Sequence, residues 1–486
     1  MEIYFSDVFD ISQDDLENYG AFNVSLINDL PLFIDPFLLF NSIKPEYREL
    51  HDQMIKYLRF LKACSENGQI HEGLLLSWFM FSEVKQNWFG YSLVGNSGSG
   101  LGIKFARALN NNLHTVFLDF GEEQVTKGSH IEKLCLIKDG VGRDNISDFT
   151  TNLIKDYLLN YTQEFAVTYL RPDQRRVVAI NKVRFNYNTC NWERDRYELP
   201  WYNGNYIILT PKDILTKDDT WINKSDIVKT FDDVADSISN FELRAQINQY
   251  FARMLPEDAK DKDYREAVSW VISKFPEFID FYIKYKEDNG DEAVSVSETR
   301  VKQVEFLFIK KLREFVERLD QETDFYSGDS YDTLSEARYR VMFLKDVIEN
   351  KGGHCLFFVD GESIRRESDL QILFRLTWCA TSSDVSREVN DGRGPVDFKI
   401  SRGSYDKSLV EFKLAKNTHL RRNLEKQVEI YKKASDAPNA LKVILFFTDG
   451  ELEKITKIFN ELGLHDHPDV ILIDGRATNK PSGSKA

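Results

Sequence analysis

Two short stretches near the C-terminal end, Val396-Asp397-Phe398-Lys399-Ile400 and Leu409-Val410-Glu411-Phe412-Lys413, set charged residues between apolar ones with a period of two. Such alternation is a strand pattern, because successive side chains along a strand take opposite faces of a sheet. Glu411 and Lys413 therefore share one face while Phe412 points into a core. The intervening Ser401 to Lys407 reads as a hairpin loop, which would bring Asp397 and Glu411 side by side across the pair. A chain with this pattern has to bury one face of a sheet and keep two carboxylates together on the other.

The segments around these strands predict a compact α/β order. After Gly352-Gly353 the pattern reads as a strand from Cys355 to Val359, a helix from Ser368 to Cys379, and strands Val396 to Ile400 and Ser408 to Leu414. A helix from Leu420 to Lys433, a strand Val443 to Phe447, a helix Glu451 to Leu462 and a strand Val470 to Ile473 follow. Residues 351–478 are thus expected to be one α/β domain with one hairpin followed by βα crossovers. Residues 479–486 are expected to be a loose tail.

Residues 226–350 read as helical almost throughout. The clearest helix puts Val301, Val304, Phe308, Leu312, Phe315, Val316 and Leu319 on one face and is entered by Ser295-x-x-Glu298, a capping-box spacing. This block is expected to serve as a connector or docking surface. Residues 1–225 form an α+β region, possessing helical signals at Tyr47 to Ala63, Gly73 to Phe81 and Ile146 to Leu159. Extended signals fall at His114 to Phe120, Lys133 to Ile137, Arg176 to Tyr187 and Tyr206 to Thr210. Its expected role is regulation or targeting.

At 486 residues, with 42% hydrophobic and 13% aromatic residues, the chain can bury more than one core. The longest early apolar run, Leu30 to Phe40, is broken by Asp35 and Pro36 and is too short to span a bilayer. The acids in Met1 to Asp10, with no basic residue among them, argue against a signal peptide. Five widely spaced cysteines without CxxC or Cys/His ligand spacing fit thiols in a reducing cytoplasm. The net charge of −15 argues against a protein that coats nucleic acid with its whole surface. It does not exclude a local basic groove. Residues 387–433 hold twelve Lys or Arg against seven Asp or Glu, so positive charge gathers where the paired acids lie.

Cleaving a phosphodiester at neutral pH calls for a hard cation, and such a cation takes oxygen ligands. Carboxylates on adjacent strands with a lysine beside them supply that chemistry. Pro395-Val396-Asp397 followed by Glu411-Phe412-Lys413 resembles the PD-(D/E)XK nuclease superfamily, with one residue inserted in the Pro-Asp half. Two further segments resemble its restriction and phage-defence branch. Arg366-Glu367-Ser368-Asp369 opens the helix before the first strand, where the family places an accessory acid, and Glu388 is the alternative. Gln427-Val428-Glu429-Ile430-Tyr431 matches a Gln-x-x-x-Tyr element that puts Gln427 and Tyr431 on one helix face.

The resemblance covers about 130 of the 486 residues. It implies a restriction-endonuclease-like core and a Mg²⁺-dependent deoxyribonuclease, with Mn²⁺ as a substitute, that leaves 5′-phosphate and 3′-hydroxyl ends. The catalytic residues it implies are Asp397, Glu411, Lys413, Glu367 and Gln427. The metal would be held by Asp397, Glu411, Glu367 and the Phe412 carbonyl. Lys399, Arg402, Lys416, Arg421, Arg422, Lys426 and Tyr431 would contact DNA. The architecture is similar to that of a prokaryotic anti-phage effector, expected to act in the cytoplasm as a homo-oligomer, with a separate ATPase or sensor subunit as a further partner and no membrane.

Other signals carry less. Glu83-Val84-Lys85 repeats the Glu-x-Lys spacing without an Asp-bearing strand before it. Gly95 to Gly102 is glycine-rich but lacks the Gly-Lys-Ser/Thr ending of a phosphate-binding loop, and reads first as a flexible loop. Asp139 to Asp144 reads as a turn with Asp144 or Asn145 capping the next helix, and His465 and His467 as surface loop residues. Two rivals stand beside the nuclease reading: a non-catalytic nucleic-acid-binding scaffold on a degenerate nuclease fold, and a nuclease gated by a nucleotide bound in the N-terminal region.

Overall fold

The computed structural model describes residues 3–27, 29–66, 70–90, 101–116, 123–137, 143–217, 219–256, 258–314, 316–317, 332–350, 354, 357–359, 362–363, 371, 374, 378, 383–389, 396–403, 405–427, 439–465 and 467–477. The chain is mixed α/β. Helices dominate up to residue 350, and the largest sheet lies at the C-terminal end.

That sheet has five strands: β1 (Asp384–Val389), β2 (Val396–Arg402), β3 (Asp406–Leu414), β4 (Asn439–Phe446) and β5 (Val470–Asp474), hydrogen-bonded in chain order. β1, β2 and β3 form an antiparallel meander, and β4 and β5 continue it in parallel. The expected hairpin is present, with Arg402 paired to Asp406 and Gly403 at φ 70° in the turn, a conformation glycine adopts without strain. β1 has no counterpart among the expected strands. The expected helix Ser368 to Cys379 falls almost entirely outside the described residues.

The period-two pattern divides the sheet into two faces. Phe398, Ile400, Val410, Phe412, Leu414, Val443 and Leu445 join one core with Ala337, Val341, Leu344, Val347 and Ile348 of helix α1 (Thr333–Asn350). Ile444 and Phe446 turn the other way. They pack with Leu420 of the short helix α2 (Leu420–Arg422), Leu424, and Ile455, Ile458 and Phe459 of helix α3 (Asp449–Leu462). Helix α1, grouped by sequence with the helical block, thus covers one face of this sheet. Its N-terminus is fixed by Asp406, which accepts from the Thr333 amide and hydroxyl.

The N-terminal and middle regions share a continuous core with this sheet. Helix Gly290–Val304 lies on the strand Leu215–Lys217, where Arg300 donates to the carbonyls of Lys217 and Asp219. Trp221 Nε1 donates to the Lys286 carbonyl at 3.0 Å, so a part-buried bond crosses the boundary expected near residue 225.

Several local expectations change. Lys133–Ile137 is a helix, and His114 to Val116 end the helix Ile103–Val116; both had read as strands. Short apolar runs are ambiguous between the two states, and here no described strand stands beside them to form a ladder. His114 to Phe120 otherwise lies outside the described residues. Ser295 is interior to Gly290–Val304, bonding the Glu292 carbonyl, so it does not cap that helix. Asp144 and Asn145 stand inside the helix Arg143–Leu153. Gly95 to Gly100 and Asp139 to Gly142 lie outside the described residues.

Candidate active site

The β2–β3 register ends at Phe398 opposite Val410, and one further step places Asp397 opposite Glu411. There the ladder gives way to a side chain. Asp397 Oδ2 accepts from the Phe412 amide at 2.6 Å, taking the place of a strand carbonyl. The Phe412 carbonyl leaves the strand on the same side as its amide, toward the Asp397 edge.

Both acids are buried, each 7% exposed. Lys413 follows on the same face, with its Nζ 3.3 Å from Glu411 Oε1 and 3.7 Å from Asp397 Oδ2. One ammonium thus serves two carboxylates. Burial pushes the Glu411 carboxyl up to about 7; Lys413 opposes that, Asp397 adds to it, and Lys442 opposes it more weakly.

The row continues across the sheet. β1 pairs with β2 through Arg387 opposite Phe398 and Val389 opposite Val396, so Glu388 stands opposite Asp397 in the ladder. On the other side Lys442 of β4 is the parallel partner of Glu411. Glu388, Asp397, Glu411 and Lys442 therefore occupy one transverse line over four strands. Sequence reasoning missed Lys442, because the strand there was expected to start at Val443 and a parallel register is not readable from one strand alone.

The remaining expected residues divide. Lys399 is half-buried and shares the face of Asp397, opposite Ser386 and Leu409. Lys416, Arg421 and Arg422 are exposed just beyond β3 and on α2, with Arg421 paired to Glu461 at 3.2 Å. Arg402 departs from expectation. Even-numbered β2 residues face α1, and Arg402 donates through its guanidinium to Glu336 Oε2 at 2.7 Å and to the Ser383 hydroxyl at 2.7 Å. It is bound into the fold on the face opposite the acids. Lys426 and Gln427 lie in the π-helical turn Asn423–Gln427, which ends the described part of that helix. Glu367 and Tyr431 are outside the described residues.

Glu83 and Lys85 belong to no strand; Lys85 begins a 3-10 turn, Lys85–Asn87. The Glu-x-Lys spacing there does not put the two side chains on one sheet face. His465 bonds Asn460 at 2.6 Å in an exposed loop.

Asp397 and Glu411 offer adjacent hard oxygen ligands in a site whose burial leaves Glu411 short of positive charge, which suits a divalent cation. Among the described residues no third His, Cys, Asp or Glu side chain joins them. A cation held there would need further ligands from backbone, water, substrate or an acid outside the described side chains.

Residues 10–223 match a family model described as "Domain of unknown function (DUF8370)", and residues 333–449 match one described as "Domain of unknown function (DUF8371)". The second match spans α1 and the whole row of acids and lysines. No curated protein and no solved structure matches the chain. No described helix is long and apolar enough to cross a membrane.

Proposed function

We propose that residues 333–477 form a metal-dependent phosphodiesterase of the PD-(D/E)XK type that cuts DNA. The observation that carries this reading is the convergence of Lys413 Nζ on Asp397 and Glu411. An antiparallel meander running into parallel strands, with helices on both faces, is compatible with a restriction-endonuclease-like core.

In this reading Asp397, Glu411 and the Phe412 carbonyl hold Mg²⁺, or Mn²⁺ in its place, with Glu388 or Glu367 as the accessory acid. The ladder position of Glu388 favours it. The cation, when bound, polarises the phosphate and lowers the pKa of a water. Lys413 moves from its ion pairs to orient that water and to balance charge on the phosphate. Lys399, Lys416, Arg421, Arg422, Lys426 and Tyr431 are the proposed contacts to the DNA backbone, and Gln427 is a proposed catalytic residue. The protein acts as a cytoplasmic homo-oligomer in anti-phage defence, with an ATPase, where one is needed, on a separate subunit.

A ligand-gated version of the same enzyme draws support from a cleft of about 520 Å³ in the N-terminal region. Tyr57, Tyr157, Phe185, Tyr187 and Trp192 line it beside Lys56 and Arg184. Its volume lies in the range of small-molecule sites. Saturable nucleotide binding that changes the cleavage rate and is lost in Tyr187→Ala supports gating.

The test of the main reading is incubation of the full chain with supercoiled DNA, linear DNA and RNA, each with Mg²⁺, Mn²⁺ or EDTA. Metal-dependent nicking of DNA is expected. Cleavage of RNA alone reassigns the substrate, and no cleavage with either metal favours the non-catalytic scaffold.

A further inference from the structure

The transverse row contains a lysine that the nuclease reading does not use. Lys442 is half-buried on β4, directly across the parallel ladder from Glu411. Its Nζ donates to the Leu424 carbonyl at 2.5 Å. Leu424 lies in the π-helical turn that follows α2, whose described part runs to Gln427. Widened turns of this kind free carbonyls from the usual helical ladder and recur at functional sites.

We propose that Lys442 is a positioning residue of the acid row: it sets its charge beside Glu411 and ties the helix bearing Arg421, Arg422 and Gln427 to the strand that carries the metal ligand. The inference rests on the reading of Asp397 and Glu411 as a metal site.

Lys413 and Lys442 both set positive charge near Glu411, from its own strand and from the next. Lys413 contacts both acids directly, whereas Lys442 acts from the neighbouring strand. When Lys413 leaves its ion pairs to serve the substrate, Lys442 is the cation that remains next to Glu411. It limits how tightly the acids hold a divalent ion, and it keeps the helix in register with the scissile phosphate.

The two duties give opposite signs to two measurements. Removing the positive charge strengthens attraction between the carboxylates and a cation. Releasing the helix slows turnover. A lysine that merely props the helix would, on removal, leave metal affinity unchanged or weaken it.

Lys442→Met and Lys442→Arg in the full chain test this, with Mn²⁺ alone titrated by calorimetry and cleavage followed under saturating Mn²⁺. In Lys442→Met we expect Mn²⁺ to bind about threefold to tenfold more tightly, while kcat falls at least about tenfold with KM little changed. Lys442→Arg should return both toward wild type. The melting temperature of each variant, taken without metal, separates loss of fold from loss of function. Unchanged Mn²⁺ affinity, or affinity weakened along with the melting temperature, overturns the proposal. If the wild-type chain binds Mn²⁺ at Asp397 and Glu411 but cuts nothing, the nuclease reading fails, and the affinity contrast between Met and wild type still decides where the Lys442 charge acts.

Discussion

Glu132 has no exposed surface, and burial, reinforced by the charge of Asp35, pushes its carboxyl from 4.5 up to about 8. Asp35, also fully buried, is pushed to about 6 although the amides of Trp221 and Phe37 pull it down. Folding therefore holds protons that the unfolded chain releases, and the stability they contribute is complete only below 3.8 for Asp35 and 4.5 for Glu132. It is lost as pH rises toward about 6 for Asp35 and about 8 for Glu132, by at most about 1.4 kcal/mol per pH unit for each group. Above that window Lys155, lowered to about 8 from 10.5 by burial, works in the opposite sense. Denaturant unfolding of Glu132→Gln between pH 5 and 8 should show a flatter decline than wild type; parallel declines would contradict the assignment. Arg402 makes a second residue-scale test. Losing Arg402 removes one of two guanidinium partners of nearly buried Glu336, which keeps Arg340 at 3.3 Å, so Arg402→Ala should cost about 1–3 kcal/mol and leave the DNA affinity of the folded protein unchanged. Lys399→Ala should weaken DNA binding and reduce its salt dependence without that loss of stability. The sequence did not separate these two residues, because both sit in a basic stretch and only the ladder parity of β2 tells which face each takes.

Elements whose side-chain period was unambiguous were readable from sequence. The strands around Asp397 and Glu411, the α3 helix and β5 appear close to their expected limits, since each alternation or helical stripe has a core to match. Elements defined by tertiary contact were not readable. β1, with Ser386, Arg387 and Glu388 in succession, lacks a clean alternation and gains its strand state from pairing with β2. Lys133–Ile137 carries five residues of mixed propensity, and its backbone closes on His130 and Ile131 as a helical turn. Helix Gly290–Val304 shows how tightly the middle region docks. A Cβ at Gly290 would strike the side-chain amide of Asn41, so Gly290→Ala should destabilise by about 1–3 kcal/mol despite the better helix propensity of alanine. Chemical denaturation checks this, and a stabilised variant would contradict the packing.

For the whole molecule, if the proposed nuclease reading holds, the acid pair Asp397 and Glu411 of one chain cuts one strand, and cutting a duplex calls for two such pairs. The chain should therefore form a homo-oligomer whose double-strand cleavage rate rises with protein concentration faster than nicking does. Light scattering that finds a strict monomer, together with concentration-independent linearisation, would contradict this. The central claim is that Asp397, Glu411 and Lys413 form one metal-dependent hydrolytic site, and its most direct test is single-turnover cleavage by wild type, Asp397→Ala, Glu411→Ala, Lys413→Ala and the control Glu83→Ala. With Mg²⁺ present the two acid variants should cut nothing. Lys413→Ala should still bind metal but turn over at least about a hundredfold more slowly, and Glu83→Ala should match wild type. Cleavage that persists in EDTA, or wild-type rates from Lys413→Ala, would contradict the account.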